Sequence, residues 1–574
     1  MSATTKKFTP LQRFLQLLAL ERREILYMYV YALAAGLISL SLPLGIQSII
    51  GFVSSGEITV SVVVLIGLLV LAFLLMGGLQ VMQLWLVEFI QQRLFARTAF
   101  DFAYRVPRLQ QEKLHAYYLP ELMNRFFDVP LLQKGLAKLL IDFSMAIIQI
   151  VFGLILLSFY HPYFIFFGIV LVLTLAFILW WTGDKGVQTS LEESKYKYKL
   201  VAWLEEMARS LSTFQLVGHT NLPMQRTDGY VSSYLQVRQQ HFRILMTQYF
   251  SFVGFKTFIT GGLLALGCVL VVQQEINIGQ FVASEIIIIL IMSAVEKIIV
   301  KLDTVYDVLT SLDKIGTVTD LPIEEPTGVD LRKLAQQGLA LQVQNLSYQH
   351  PNSKKPSLTD VSFQIHSGER VCLAGYHSSG KSTLVSLLLG LLPSYQGSIA
   401  FNNLSLRDLD IASLRSLIGE NSSKEQVFDG TFLDNLTLGQ ELPMQDIVWA
   451  LEVTGLTAFV HALPKGLHTY LTGGSMRLPT SVARKIILAR SLVQRPKLLI
   501  IDDFWAGMEK PEKMRLLHLL FAPAFDWTVL IVSNDPDVMQ LCHRVLLLQE
   551  GHLKASGSFA AISDKLQELI STPV

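Results

Sequence analysis

Cysteine and charge are both scarce in this chain. Only three cysteines occur in 574 residues, Cys268, Cys372 and Cys542, and no two of them stand at CxxC spacing. That argues against a disulfide framework or a thiolate metal site and leaves the three as apolar packing residues. Charged residues make up 16% against 51% hydrophobic, and the mean hydropathy is +0.44. Such a balance belongs to membrane proteins. The net charge is only +1 and no basic patch is interleaved with aromatics, so nucleic acid is not an expected partner.

Six apolar runs fill the first half, at 28–48, 60–79, 145–160, 163–181, 252–272 and 281–295. A helix crosses the hydrocarbon in about 20 residues, and inside lipid every backbone polar group must be satisfied within the helix. Six transmembrane helices are therefore expected. Lys and Arg are missing from three connections, VSSGEI (53–58), HP (161–162) and QQEIN (273–277), and plentiful in the long ones, as at Arg93, Arg97, Arg105, Arg108, Lys113 and Arg125. By the positive-inside tendency, both termini and the long loops are expected on the cytoplasmic side. The residues ahead of the first span, FTPLQRFLQLLALERREI, read as an interfacial helix rather than a removable leader. The long connections keep helical spacing and are read as helices running on beyond the membrane, with tips near 115–122 and 217–225.

At 574 residues the chain exceeds a single core, which rarely grows past about 250–300 residues. DLPIEEPTGVD breaks the composition, so a membrane domain over 1–325, a linker over 326–340 and an α/β domain over 341–574 are expected. In that last domain the apolar strand ERVCLAG runs into GYHSSGKST (375–383) and then a helix. Strand, GxxxxGK[ST] and helix together make a credible P-loop. Backbone N–H groups from Gly375 through Ser378, Ser379, Gly380, Lys381, Ser382 and Thr383 can surround phosphate oxygens. Lys381 supplies the point charge and Ser382 can ligate magnesium. Ser378 stands where a glycine is common, and His377 is read as a loop-surface residue.

Six spans with two long excursions, followed by one P-loop domain, resemble the ABC exporters over nearly the whole chain. GQFVASEIIIIL and LPELMNRFFDVPLLQKGLAK are most similar to type I secretion and peptide exporters; the cysteine-peptidase-like domain that often precedes those is not expected here. The fold that the resemblance implies is a polytopic α-helical membrane domain with long cytoplasmic extensions, followed by an α/β P-loop ABC nucleotide-binding domain. It implies ATP and Mg2+ as cofactors and the cytoplasmic (inner) membrane as location. It also implies a homodimer, or a heterodimer with another ABC half-transporter, and allows a periplasmic adaptor and an outer-membrane channel as further partners.

Residue by residue, the resemblance places Tyr348 where an aromatic stacks on adenine, an ordinary strand aromatic being the alternative. KLLIIDD places Asp502 at the magnesium-holding aspartate and Asp503 at the catalytic glutamate, one methylene shorter than expected. Roughly an ångström of misplacement there can cost about a hundredfold in rate. Asn534 takes the switch-histidine position, where it can donate to phosphate but cannot be a cation or shuttle a proton. Ser423 falls on the metal-facing glutamine, with Gln426 a substitute if the loop is rearranged. The five signature positions read Leu478, Pro479, Thr480, Ser481 and Val482 in place of LSGGQ, and FWAGME replaces the usual D-loop. The cradle is thus kept while the hydrolytic residues differ, and weak or absent ATP hydrolysis is expected. Divergence that preserves function is the other reading. In a dimer these differences touch both composite sites. Two functional classes follow: an ATP-driven exporter half for a peptide, protein or amphipathic molecule, or an ATP-sensing membrane scaffold, channel or regulator that does not cycle.

In the membrane half, Glu285 and Lys256 are the ionisable candidates. They differ in depth by roughly ten residues, about 13–15 Å along a helix, so a direct pair is not expected. Glu296 and Lys297 are read as solvated at the end of the last span. The tips at Tyr117–Leu122 and Gly218–Pro223 are candidate coupling helices.

Overall fold

The computed structural model describes residues 8–54, 60–335, 337–351, 353–376, 378–422, 426–471, 478–502, 504–505 and 508–562. The chain divides into two compact units, Met1–Leu109 with Lys113–Ile323, and Gln110–Glu112 with Glu324–Val574.

The first unit is helical. It begins with α1 (Pro10–Leu20), α2 (Arg22–Ser39), α3 (Ser41–Ser54) and α4 (Val60–Arg105), followed by α5 (Leu119–Met123), α6 (Asp128–Lys138) and α7 (Ser144–Ser158). Then come α8 (Tyr163–Arg209), α9 (Leu211–Leu216), α10 (Leu222–Val272), α11 (Ile278–Val300) and α12 (Leu302–Thr319). Six helical segments among the described residues are long and apolar enough to cross a membrane, as the six runs require. Three helices (α4, α8 and α10) continue far past their apolar stretch, because nothing in their polar halves breaks helical spacing. The first run departs from one uninterrupted helix: it breaks at Leu40 between α2 and α3. Pro43 explains the break, since it can donate no N–H and is tolerated only in a first helical turn.

Residues of α1 show how local sequence sets an end. In TPLQ, Thr9 caps the helix by accepting the Gln12 N–H, Gln12 Oε1 accepts the Thr9 N–H, and Pro10 opens the first turn. Arg13 then forks onto the carboxylate of Asp320, just beyond α12, with one arm at 2.9 Å. Two glycines let α12 lie close to its neighbours. A Cβ on Gly135 of α6 would stand 2.4 Å from Val308, and one on Gly186 of α8 would stand 2.3 Å from the Tyr306 ring. Past the apolar run, α8, α10 and α12 exchange polar contacts. Buried Gln248 donates to Thr182 Oγ1 and Tyr306 Oη, each at 2.7 Å, and His241 contacts Thr189 at 2.8 Å and Asp303 at 3.1 Å. Buried amides and imidazoles need such partners.

The second unit has two main sheets. One is antiparallel, in order β2 (Leu358–Ile365), β1 (Leu341–Tyr348), β4 (Gln396–Phe401) and β5 (Leu404–Ser405). The other runs β12 (His552–Gly557), β11 (Arg544–Gln549), β3 (Arg370–Ala374), β10 (Thr528–Val532), β9 (Leu498–Asp502) and β6 (Ile418–Ser422). All its pairs but β11–β12 are parallel. A short pair joins β7 (Gly430–Thr431) to β8 (Tyr470–Leu471). The helices are α13 (Lys381–Leu388), α14 (Ile411–Ser416), α15 (Phe432–Thr437) and α16 (Met444–Thr454), then α17 (Thr457–Ala462), α18 (Thr480–Leu492), α19 (Lys510–Leu520) and α20 (Pro536–Leu541). Buried strands such as LLIID and TVLIV read as continuous apolar runs because helices cover both faces of a parallel sheet. The register places Leu373 opposite Val532 and Val532 opposite Asp502. The C-terminal ends of β3, β10 and β9 therefore lie side by side, the place where open α/β sheets bind ligands.

Candidate functional site

The loop from β3 to α13 occupies that edge. Gly375 leaves the strand at φ 156°, where a Cβ would lie 2.2 Å from the Leu548 carbonyl oxygen. Only glycine fits. Gly380 at φ 101° turns the chain into α13, whose first turn has no side-chain cap. Uncapped N–H groups at a helix start suit an anion. Between them Ser378 stands at φ 63°, so the backbone keeps a glycine-like conformation although the residue is serine.

Lys381 turns back over this loop. Its Nζ donates to the carbonyls of Gly375 and Tyr376, the latter at 2.8 Å, and reaches Ser379 Oγ at 3.3 Å. Ser379 is buried, while Ser382 is exposed at the start of α13. Thr383 Oγ1 meets His350 Nε2 at 3.3 Å. Tyr376, 44% exposed, puts an aromatic ring beside the cradle that the sequence reasoning passed over.

Tyr348 is only 3% exposed and packs inside the core, with His350 edge-on at 5.0 Å. Burial pushes its phenol above the ordinary tyrosine value. Asp502 ends β9, and Asn534 lies two residues beyond β10, bonded to Gly375. Ser423, Asp503 and His377 lie outside the described residues.

At the positions resembling a signature, Leu478 and Val482 are half-buried and pack on the cluster around Phe432, Leu436 and Ile447. Pro479 precedes the first turn of α18 and its carbonyl receives the Ala483 N–H at 3.0 Å, while Thr480 and Ser481 are exposed. Further along α18, Arg490 donates to the Asn435 carbonyl at 2.7 Å and to the Gln426 carbonyl at 3.3 Å. The Gln426 segment is thereby tied to the helix that follows the signature positions. No sequence signal marks a helix-interior arginine for such a task.

Phosphate and magnesium fit this edge. The uncapped α13 N-terminus and Lys381 supply the anion-binding elements, and Ser382 and Asp502 are oxygen donors of the kind Mg2+ takes. No group of three or more His, Cys, Asp or Glu among the described residues could hold a metal without such a ligand. Mg2+ is normally held by one or two protein groups plus phosphate and water.

The family model for the ABC transporter transmembrane region matches residues 25–295, and the ABC transporter model matches residues 358–506. The chain belongs to the ABC transporters. It is similar to the lactococcin transport/processing ATP-binding protein LcnC-like of Lactococcus lactis subsp. lactis (strain IL1403), 22% identical over 97% of this chain and 78% of that protein. An ATP-dependent lipid A-core flippase of Burkholderia orbicola (strain AU 1054) is 26% identical over 50% of this chain and 48% of that one. A solved bacterial Atm1-family ABC exporter with ATP bound superposes with a TM-score of 0.83 at 16% identity, covering 97% of this chain and 99% of that chain. This ABC chain is thus an exporter half-transporter in fold: a multi-pass membrane domain and one nucleotide-binding domain.

In the membrane domain, Glu285 lies half-buried in α11, and its Oε1 has no hydrogen-bond partner among the described residues. Lys256 of α10 pairs with Glu296 at 2.7 Å instead. Glu296, read from sequence as solvated, is engaged because α10 and α11 pack together there.

Proposed function

We propose that the chain is one half of a dimeric exporter that binds MgATP, turns it over slowly, and moves a peptide, protein or amphipathic molecule outward across the cytoplasmic membrane. The relatives named for lactococcin transport support a peptide cargo. The observation that carries the reading is the phosphate cradle at Lys381 with Asn534 bonded to it where the family has a histidine; Pro479 stands in the sequence where the family has the signature serine. Backbone N–H groups and Lys381 would hold the phosphates, and Ser382 and Asp502 would hold magnesium, which when bound neutralises phosphate charge. Asp503 reaches less far than glutamate toward an attacking water, and Asn534 offers no imidazolium.

Differences at the Walker and the signature positions touch both sites of a dimer, and this favours a second reading, an ATP-sensing scaffold, channel or regulator. The purified chain in lipid separates the two, with Lys381→Ala as control. ATP turnover that Lys381→Ala abolishes and a peptide cargo accelerates supports the exporter. ATP binding without Lys381-dependent turnover, alone or with a second half-transporter, supports the regulator.

A further inference from the structure

The carboxamide of Asn534 grips one residue at both of its backbone groups. Its Oδ1 accepts the Gly375 N–H and its Nδ2 donates to the Gly375 carbonyl, each at 2.9 Å. The amide orientation follows from these partners, since only Oδ1 can accept from an N–H. Leu373 and Val532 are register partners in β3 and β10, so Gly375 and Asn534 stand at equal offsets beyond them. The side chain continues the ladder where the two strands part. Asn534 is itself held on both flanks. The Ser533 N–H donates to the Leu373 carbonyl at 3.2 Å, and the Asp535 carboxylate receives buried Lys513.

The Gly375 carbonyl has a second partner, the Lys381 ammonium, which also donates to Tyr376. One peptide group therefore links the end of β10 to the charge that meets phosphate. A planar carboxamide presents a donor and an acceptor on one edge. Imidazole nitrogens point apart, and a carboxylate has no donor.

We propose that Asn534 is a positioning residue for nucleotide: it fixes the Gly375 carbonyl, and that carbonyl orients the Lys381 ammonium toward the phosphates. The position then serves the cradle directly rather than sensing the terminal phosphate. This rests on the reading that the cradle binds ATP.

The test is titration of the full chain in lipid with trinitrophenyl-ATP, whose apolar ring keeps weak variants measurable. Asn534→Ala removes both hydrogen bonds and Asn534→His can keep at most one, so each variant weakens binding, Asn534→Ala by about tenfold or more. In a Lys381→Ala background, adding Asn534→Ala costs less than about twofold, because both act through one group. A cooperative melting transition kept without nucleotide separates this from a loss of folding, which would multiply with Lys381→Ala. Affinity kept in Asn534→Ala, affinity kept or raised in Asn534→His, or losses that multiply in the double variant would each overturn the proposal. Failure of the wild-type chain to bind the probe would overturn the ATP-binding reading instead.

Discussion

The Lys256 ammonium of α10 lies 2.7 Å from the Glu296 carboxylate of α11, and each side chain is more than a third exposed. Where water reaches such a pair, it contributes on the order of 1 kcal/mol or less. A lone charge left in an apolar span costs more, about 2.5–3.5 kcal/mol at a span centre and less toward its end. Lys256→Glu and Glu296→Lys should each lower the thermal midpoint in lipid, and the double reversal should recover most of the loss. Additive losses in that cycle would show the contact to be incidental.

Gly186→Ala should be costly and Gly183→Ala should not. The new methyl at 186 would meet the Tyr306 ring at 2.3 Å and its hydroxyl at 2.6 Å, whereas nothing lies within 4 Å at 183. Overpacking of this kind costs about 1–3 kcal/mol, and here it also parts Tyr306 from Gln248. Melting of the two variants in lipid compares them, and equal midpoints would contradict the packing argument.

Ser378→Gly should stabilise the phosphate loop. A serine at φ 63° carries a backbone cost on the order of 1 kcal/mol that glycine does not. The variant should melt higher without nucleotide and bind nucleotide at least as tightly. Ser378→Val, branched at Cβ, should do the reverse.

The six spans and the phosphate loop were legible because each is a local pattern: length and apolarity for one, a strand, glycines and a lysine for the other. The break at Leu40 was written in Pro43 but hidden inside an apolar run. The Asn534–Gly375 pair was not legible, since it depends on the register of strands far apart in sequence. Nor was the Lys256–Glu296 contact, which depends on how two helices pack. Tyr348 shows the same limit from the other side: an aromatic in a strand announces neither a stacking face nor a core position, and only the surrounding apolar cluster tells where its ring lies.

Acid should weaken the tether behind Asn534. Lys513 bonds Asp535 and Asp537, and Lys510 bonds Asp537 at 3.0 Å. Hydrogen bonds from Lys513 and then Lys510 hold Asp537 below the usual carboxylate range, and those to Asp535 and Asp537 hold Lys513 above the usual lysine value. The carboxylate contribution is present above about pH 4 and is lost as pH falls through the depressed value; the lysine contribution is present below about pH 10 and is lost as pH rises through the raised one. The midpoint gap between wild type and Lys513→Met should therefore be widest between those limits and narrow beyond each. A gap independent of pH would remove the ion pairs from the explanation.

Arg13 forks onto Asp320, so the helix before the first span is fastened to the segment that follows the last. Residues more than three hundred positions apart are thus clasped at one point, so a displacement of α12 at that end is handed to α1 as well as to the segment that follows it.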